Sequence, residues 1–229
     1  MYPLDNPIWQ ALTTKQASLA ESCGQARRFI PEVSPLGGFA EDSAESYASL
    51  AILLRPGEKI GLFLHAPPEP RAGWDVVLSG DLLQMVYSGT TAPTPSADVV
   101  ALSRDDVPDM IELAHLTKPG PFNQRTHELG DYFGIRRKGT LAAMAGERLR
   151  FPGYTEISAV CTHPDHLGNG CATALIRVLM ERICCRNETP FLHVRGDNAR
   201  AIQLYERLGF ARRLEYYYAV LCRKPEPVR

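Results

Sequence analysis

The chain has 229 residues, 45% of them hydrophobic and 22% charged, which is the balance of a soluble globular protein able to bury a core without disulfides or metals. A formal net charge of −1 supplies no global basic field for nucleic acid. No apolar run approaches the roughly 20 residues of a membrane helix, and the start, MYPLDNPIWQ, lacks the basic-then-apolar order of a secretory signal. Six cysteines without a C-x-x-C read as reduced thiols, so the expectation is a cytoplasmic protein that binds neither membrane nor nucleic acid.

In chain order, Asn6-Pro7 is a cap followed by proline, and NPIWQALTTKQASLAE continues with helical spacing. SAESYASLAILL, 43–54, predicts a second helix, and Pro56-Gly57 a turn. KIGLFLH and WDVVLSGDLLQMVY have strand character and flank the exposed loop HAPPEPRAG. No chemical motif emerges in this half. At SGTTAPTPSADVV, 88–100, small polar residues and two prolines mark a linker or crossing loop. A boundary is therefore expected near Pro93, with an N-terminal α/β region over 1–93 and a second domain over 94–229.

The second half is better punctuated. ADVVALS predicts a strand, RDDVPDMIELAHLT a helix and GPFNQRTHELG a shorter helix. DYFGIRRKGTLAAMAGERL reads as two strands around Arg137-Lys138-Gly139, where Arg136, Arg137 and Lys138 are expected to be solvated rather than to grip phosphate. YTEISAVCT is a strand, CTHPDHLGNGCATALIRVLM a strand end, glycine turn and long helix, and TPFLHVRG another strand. NARAIQLYERLG is a helix with Asn198 as cap and Gly209 as stop, and FARRLEYYYAVLC a final strand. The order implies an α/β domain with a mixed sheet. Cys184 and Cys185 are read as helix-end residues, and the tyrosines of EYYYAVL as half-buried strand residues rather than a platform for bases.

The glycine turn presents bare N–H groups at a helix start, which suits phosphate. It has no lysine for a Walker A loop. Gly168, Gly170 and Thr173 nearly meet G-x-G-x-x-G, and Asp197 follows the next strand, so a nucleotide-binding reading stays open on these residues alone. His163 and His166 flank Pro164 without a third ligand, which makes them loop histidines and predicts no metal.

Two spaced segments add a further reading. L-G-N-G-C-A at 167–172 and N-A-R-A-I-Q-L-Y-E-R-L-G-F at 198–210 together resemble the signatures of the GNAT superfamily of acyl-CoA-dependent N-acyltransferases. The first pattern matches at Gly170 and Ala172 but has Leu167 where that family usually has Gln or Arg. The second matches at Asn198, Ala201, Tyr205, Gly209 and Phe210. The resemblance covers roughly 97–225 and implies a mixed, mostly antiparallel sheet flanked by helices, with the N-terminal α/β region as an addition.

What the resemblance implies is an acetyltransferase with acetyl-CoA as cosubstrate, no metal, and an unidentified amine as acceptor. A homodimer is left open. Backbone N–H groups of Leu167, Gly168, Asn169, Gly170, Cys171, Ala172 and Thr173 would hold the CoA pyrophosphate, weakened by the lost charge at 167. Val160, Cys161 and Thr162 would pair with the pantetheine arm. Asn198 would contact that arm, cap the helix, or do both. Tyr205 would give a proton to the departing thiolate, and Glu156 would be the base, with Tyr154 and His193 as weaker candidates. Strand alternation puts Glu156, Ser158, Val160 and Thr162 on one face. A non-catalytic acyl-CoA-binding module is the alternative, and it would need neither Tyr205 nor a base. Acceptor selection is expected from loops 118–128 and 148–155 and from the N-terminal half.

Overall fold

A computed structural model describes residues 2–89 and 98–225, and the boundary expected at Pro93 falls outside them. The first helix, α1, spans Pro7–Thr13 only. The hydroxyls of Thr13 and Thr14 donate back to the carbonyls of Trp9 and Gln10, a local bond that competes with helix continuation. Gln16, next in line, is pulled away to donate to the carbonyls of Leu129 and Arg148. Strands β1 (Ala20–Cys23), β2 (Ala26–Phe29) and β3 (Gly37–Phe39) then form a small antiparallel sheet. The tight turn at Gly24-Gln25, with Gly24 at φ +46°, is its one sequence signal.

Helix α2 (Ala44–Leu53) starts where Ser43 accepts from the Ser46 amide. Strands β4 (Lys59–Leu64) and β5 (Trp74–Tyr87) follow, then β6 (Val100–Leu102) and α3 (Val107–Thr117). The stretch expected as a shorter helix near 120–130 is a single 3-10 turn, Thr126–Leu129. The remaining elements are β7 (Tyr132–Arg137), β8 (Thr140–Phe151), β9 (Tyr154–Thr162), α4 (Cys171–Cys185), β10 (Thr189–Arg195), α5 (Ala199–Arg207) and β11 (Phe210–Arg223).

One eight-stranded sheet holds these together in the order β4-β11-β5-β10-β9-β8-β7-β6. Its strands pair antiparallel except β9 with β10. The α/β class with a mostly antiparallel sheet flanked by helices is therefore what the molecule has. Strands β4 and β5, from the N-terminal half, lie on either side of β11, so the sheet runs straight across the expected division of the chain.

The two faces of the sheet differ. On one, α4 buries Leu175, Ile176, Leu179 and Ile183 at helical spacing against Leu83, Met85, Ile157 and Leu192. Asn198 caps α5 by accepting from the Ala201 amide, and α5 adds Ile202 and Tyr205 to the same cluster. On the other face the N-terminal turn and α1 bring Leu4, Ile8 and Leu12 onto Leu149, Phe151 and Phe191. All six cysteines are free.

Candidate active site

Strands β9 and β10 pair in parallel through Thr189–Tyr154, Pro190–Thr155 and Phe191–Glu156. Past that point β10 stays with β5, as far as Arg195 opposite Leu82, and leaves β9. A cleft of about 840 Å³ opens there, with Val160, Cys161 and Thr162 on one side and Val194, Asn198 and Tyr205 among those on the other.

Strand β9 is irregular at this opening. Its pairing with β8 steps from Ser158–Gly146 to Cys161–Met144, so two residues oppose one, and Ala159 has φ +53°. This bulge corrects the expected alternation. Val160 packs with Ile157 on the α4 face, whereas Ala159 and Cys161 join the α3 cluster on the other face. Val160 therefore does not share a face with Glu156. No glycine marks the bulge, and the sequence held no sign of it.

The glycine turn follows at the end of β9. Gly168 and Gly170 have φ of +81° and +74°, a region that disfavours any side chain. The first helical bond of α4 runs from the Ala174 amide to the Gly170 carbonyl. The N–H groups of Cys171, Ala172 and Thr173 precede it and have no carbonyl within the helix. Leu167 is different: its amide donates to the Pro164 carbonyl at 3.3 Å, and the residue is 53% exposed. His163 takes the amide of Asp165 on Nδ1, as a loop cap does, and no cluster of three metal-ligating side chains occurs among the described residues.

Tyr205 is buried at the cleft wall with its ring edge-on to Phe210. Burial pushes its pKa up to about 12, so the phenol keeps its proton at neutral pH. Burial likewise pushes the Cys161 thiol up to about 11, which leaves it protonated at neutral pH.

Glu156 departs from what a strand-end base requires. It is fully buried. Arg148 grips it bidentately, Nε to Oε2 at 2.8 Å and Nη2 to Oε1 at 2.5 Å, and His193 Nδ1 approaches Oε1 at 2.7 Å. Burial alone would raise its pKa, but Arg148 and then His193 outweigh that and hold it at about 2. A carboxylate so satisfied is a poor proton acceptor.

The network continues. Arg213 Nη1 donates to Gln84 Oε1 at 2.8 Å, which fixes the amide's orientation because a guanidinium cannot accept. Gln84 Nε2 then faces the Leu4 carbonyl at 3.0 Å and His193 Nε2 at 3.1 Å. As Nε2 must accept there, the histidine proton sits on Nδ1, toward Glu156. Burial lowers the pKa of His193 against the opposing pull of Glu156, so the ring is neutral. Arg213 also pairs with Asp5, and the Tyr216 hydroxyl donates to the Leu4 carbonyl at 2.6 Å.

Sequence reasoning did not single out Arg148 or Gln84, and it ranked His193 low; the three lie on three strands and meet only in the fold. Tyr154, the other weak candidate, bonds Tyr2 hydroxyl to hydroxyl at 2.7 Å, away from the cleft. Arg136 is tied to Asp106 and Asp109, and Arg137 to Asp98, so the hairpin is not a phosphate grip. Asp197 pairs with its neighbour Arg195. The sheet is not the parallel one a dinucleotide fold needs.

Comparisons with known proteins agree with this geometry. A family profile described as FR47-like protein matches residues 132–219. The N-alpha-acetyltransferase RimI of Mycobacterium tuberculosis is 34% identical over 141 residues, which are 56% of this chain and 88% of the relative. A crystal structure of a putative acetyltransferase from the GNAT family of Novosphingobium aromaticivorans superposes with a TM-score of 0.92 at 38% identity, over 98% of this chain and 100% of the other. A GCN5-related N-acetyltransferase from Kribbella flavida, 15% identical, shares the fold with a TM-score of 0.62 over 97% of this chain and 94% of its own.

Proposed function

We infer the working of the site from one premise: the chain belongs to the GNAT superfamily and is an acetyl-CoA-dependent N-acetyltransferase, moving an acetyl group to an amine. The observation that best supports our placement of the reaction is the parting of β9 from β10 beyond Glu156–Phe191, beside the bulge at Ala159.

In this reading the pantetheine arm enters the opening and its amides pair with the edge of Val160, Cys161 and Thr162. The pyrophosphate rests on the N–H groups of Gly168, Asn169, Gly170, Cys171, Ala172 and Thr173, where the dipole of α4 favours an anion. Leu167 contributes neither charge nor a free amide, so the site depends on backbone donors. Asn198 keeps its cap and borders the arm.

A neutral amine attacks the thioester carbonyl with both substrates bound. The C–N bond forms, the C–S bond breaks, and the thiolate leaves with the proton of Tyr205, which solvent then restores. The nitrogen loses its proton to water. We assign Glu156 to holding Arg148 and His193 in place, because a carboxylate at about 2 has little affinity for that proton.

Acetyl-CoA should raise the melting temperature while NAD should not. Gly170→Asp sets a like charge where the anion belongs and should abolish the shift. A folded Gly170→Asp protein that is still stabilised by acetyl-CoA would remove the pyrophosphate from this turn.

A further inference from the structure

Beyond the closed end of the opening, the cleft continues on the face of the sheet opposite Tyr205. Its wall there is Leu36, Phe63, Arg148, His193 and Tyr218. The Arg148 guanidinium lies 5.7 Å from the centre of the Phe63 ring, and Phe63 packs at 4.7 Å on His193 and 6.1 Å on Tyr218. Two of the three guanidinium nitrogens are held by Glu156. Nη1 makes no hydrogen bond among the described residues, nor is it a buried atom without a partner. Its N–H groups are the donors left for the cleft.

Charge decides what those donors suit. Glu156 cancels Arg148, and His193 is neutral. The other ionic side chains on the wall, Lys118 and Arg195 against Asp81 and Asp197, also cancel. The subsite offers directed hydrogen bonds without a net field, which fits a neutral carbonyl oxygen and gives no premium to a carboxylate. Spacing agrees. Glu156 and Ser158 are two strand residues apart, about 7 Å. A carbonyl on the carbon bearing the amine puts its oxygen about 3 Å from the nitrogen, and a hydrogen bond adds about 3 Å. An amine at the Ser158–Ala159 level thus brings that oxygen to the level of Glu156, whose carboxylate holds Arg148.

Resting on the acetyltransferase reading above, we propose that Arg148 Nη1 reads a neutral carbonyl oxygen next to the acceptor's amine. The acceptor is then an α-amino amide with an apolar side chain against Leu36, Phe63 and Tyr218, and not a free amino acid or a simple alkylamine. The N-terminal half, which supplies Leu36 and Phe63, is the wall that selects it.

The test compares leucinamide, leucine and 3-methylbutylamine as acceptors with acetyl-CoA, followed by thiol release. These three share one skeleton and differ at the carbonyl position, and through it in amine basicity, the amide being about two pH units less basic than the others. With kcat/KM expressed per neutral amine, wild type should favour leucinamide over each of the others by at least tenfold. Leu-Ala-Ala separates the sources: turnover above leucinamide indicates polypeptide N-termini, turnover below it indicates small amino amides, and both retain the contact. In Arg148→Lys, which keeps a cation beside Glu156 but loses the fork, the preference should fall to near unity while the acetyl-CoA melting shift remains. Equal use of 3-methylbutylamine by wild type, preference for free leucine, no turnover of leucinamide, or an unchanged preference in folded Arg148→Lys each overturns the proposal. If Arg148→Lys does not fold, the wild-type panel decides alone. Failure of the underlying reading looks different: no melting shift with acetyl-CoA and no thiol release with any amine.

Discussion

The two faces of the sheet around β9 are held by different physics. On the α4 and α5 face, Leu175, Leu179, Leu192 and Ile157 pack with no polar atom to satisfy. On the other face Arg148, Glu156, His193, Gln84 and Arg213 form a chain of bonds in which each member completes its neighbour. Apolar packing tolerates the loss of one atom group roughly in proportion to the hole left behind. A buried ionic chain does not, because removing one partner strands the other. Apolar packing on both faces, that of Leu4, Ile8 and Leu12 included, gives the domain its stability, and the ionic chain holds shape and charge at the mouth of the cleft.

The sharpest break between them should come from paired substitutions. Arg148→Met leaves Glu156 charged and buried with only the neutral His193 beside it, and should cost about 3–5 kcal/mol in urea unfolding. Adding Glu156→Gln should restore more than half of that loss. Leu179→Ala on the opposite face should cost about 3 kcal/mol. No neutralising second change should recover it. Additive losses in the Arg148/Glu156 pair would mean that the pair is not mutually compensating.

Acid offers a second way to separate the faces. Glu156 titrates near 4.5 when unfolded and at about 2 in the fold. A lowered folded pKa gives stability that is present above about pH 4.5 and is lost as pH falls through about 2. The size is about 3 kcal/mol. Leu179→Ala should keep this slope, whereas Glu156→Gln should flatten it. An unchanged slope in folded Glu156→Gln would assign the acid loss to other carboxylates.

Tyr205→Phe is the smallest chemical change on the apolar face and should separate chemistry from packing. Turnover should fall about 10²-fold, some 2.7 kcal/mol of barrier. Stability and the acetyl-CoA melting shift should barely move, since the ring against Phe210 remains. Wild-type turnover, measured where chemistry limits the rate, would leave proton donation to water. The mildest effect belongs to the exposed turn. Leu167→Arg should tighten CoA binding by about 1 kcal/mol, less in high salt. No change at low salt would mean that position 167 lies away from the phosphates.

What was legible in the sequence follows the same division. Helices α4 and α5, with Gly170, Asn198 and Tyr205, could be read because their signals repeat locally, at helical spacing and at caps. The short sheet β1–β3 was missed: its strands are three or four residues long, and α1 stops early through Thr13, Thr14 and a distant pull on Gln16. The surroundings of Glu156 could not be read. Its carboxylate is defined by Arg148 on β8 and His193 on β10, and neither has a fixed sequence offset from a motif. A bulge at an alanine leaves no compositional trace either, so period-two alternation carried Val160 to the wrong face.

Strands β4 and β5 follow one another along the chain, yet β11, the last strand, separates them in the sheet. A ribosome delivers them long before their common neighbour exists. The stretch from Tyr87 to Arg223 takes roughly 7 to 27 seconds to synthesise at usual rates. During that time the edges that β11 will cover stand open, and the wall carrying Phe63 has no Tyr218 to meet. The nascent chain can therefore assemble most of the α4 side of the domain, all but Phe210, while the acceptor side waits for the length of the final strand. Closing that side is a long-range event, of the kind that folds slowly and leaves strand edges open to wrong pairing meanwhile.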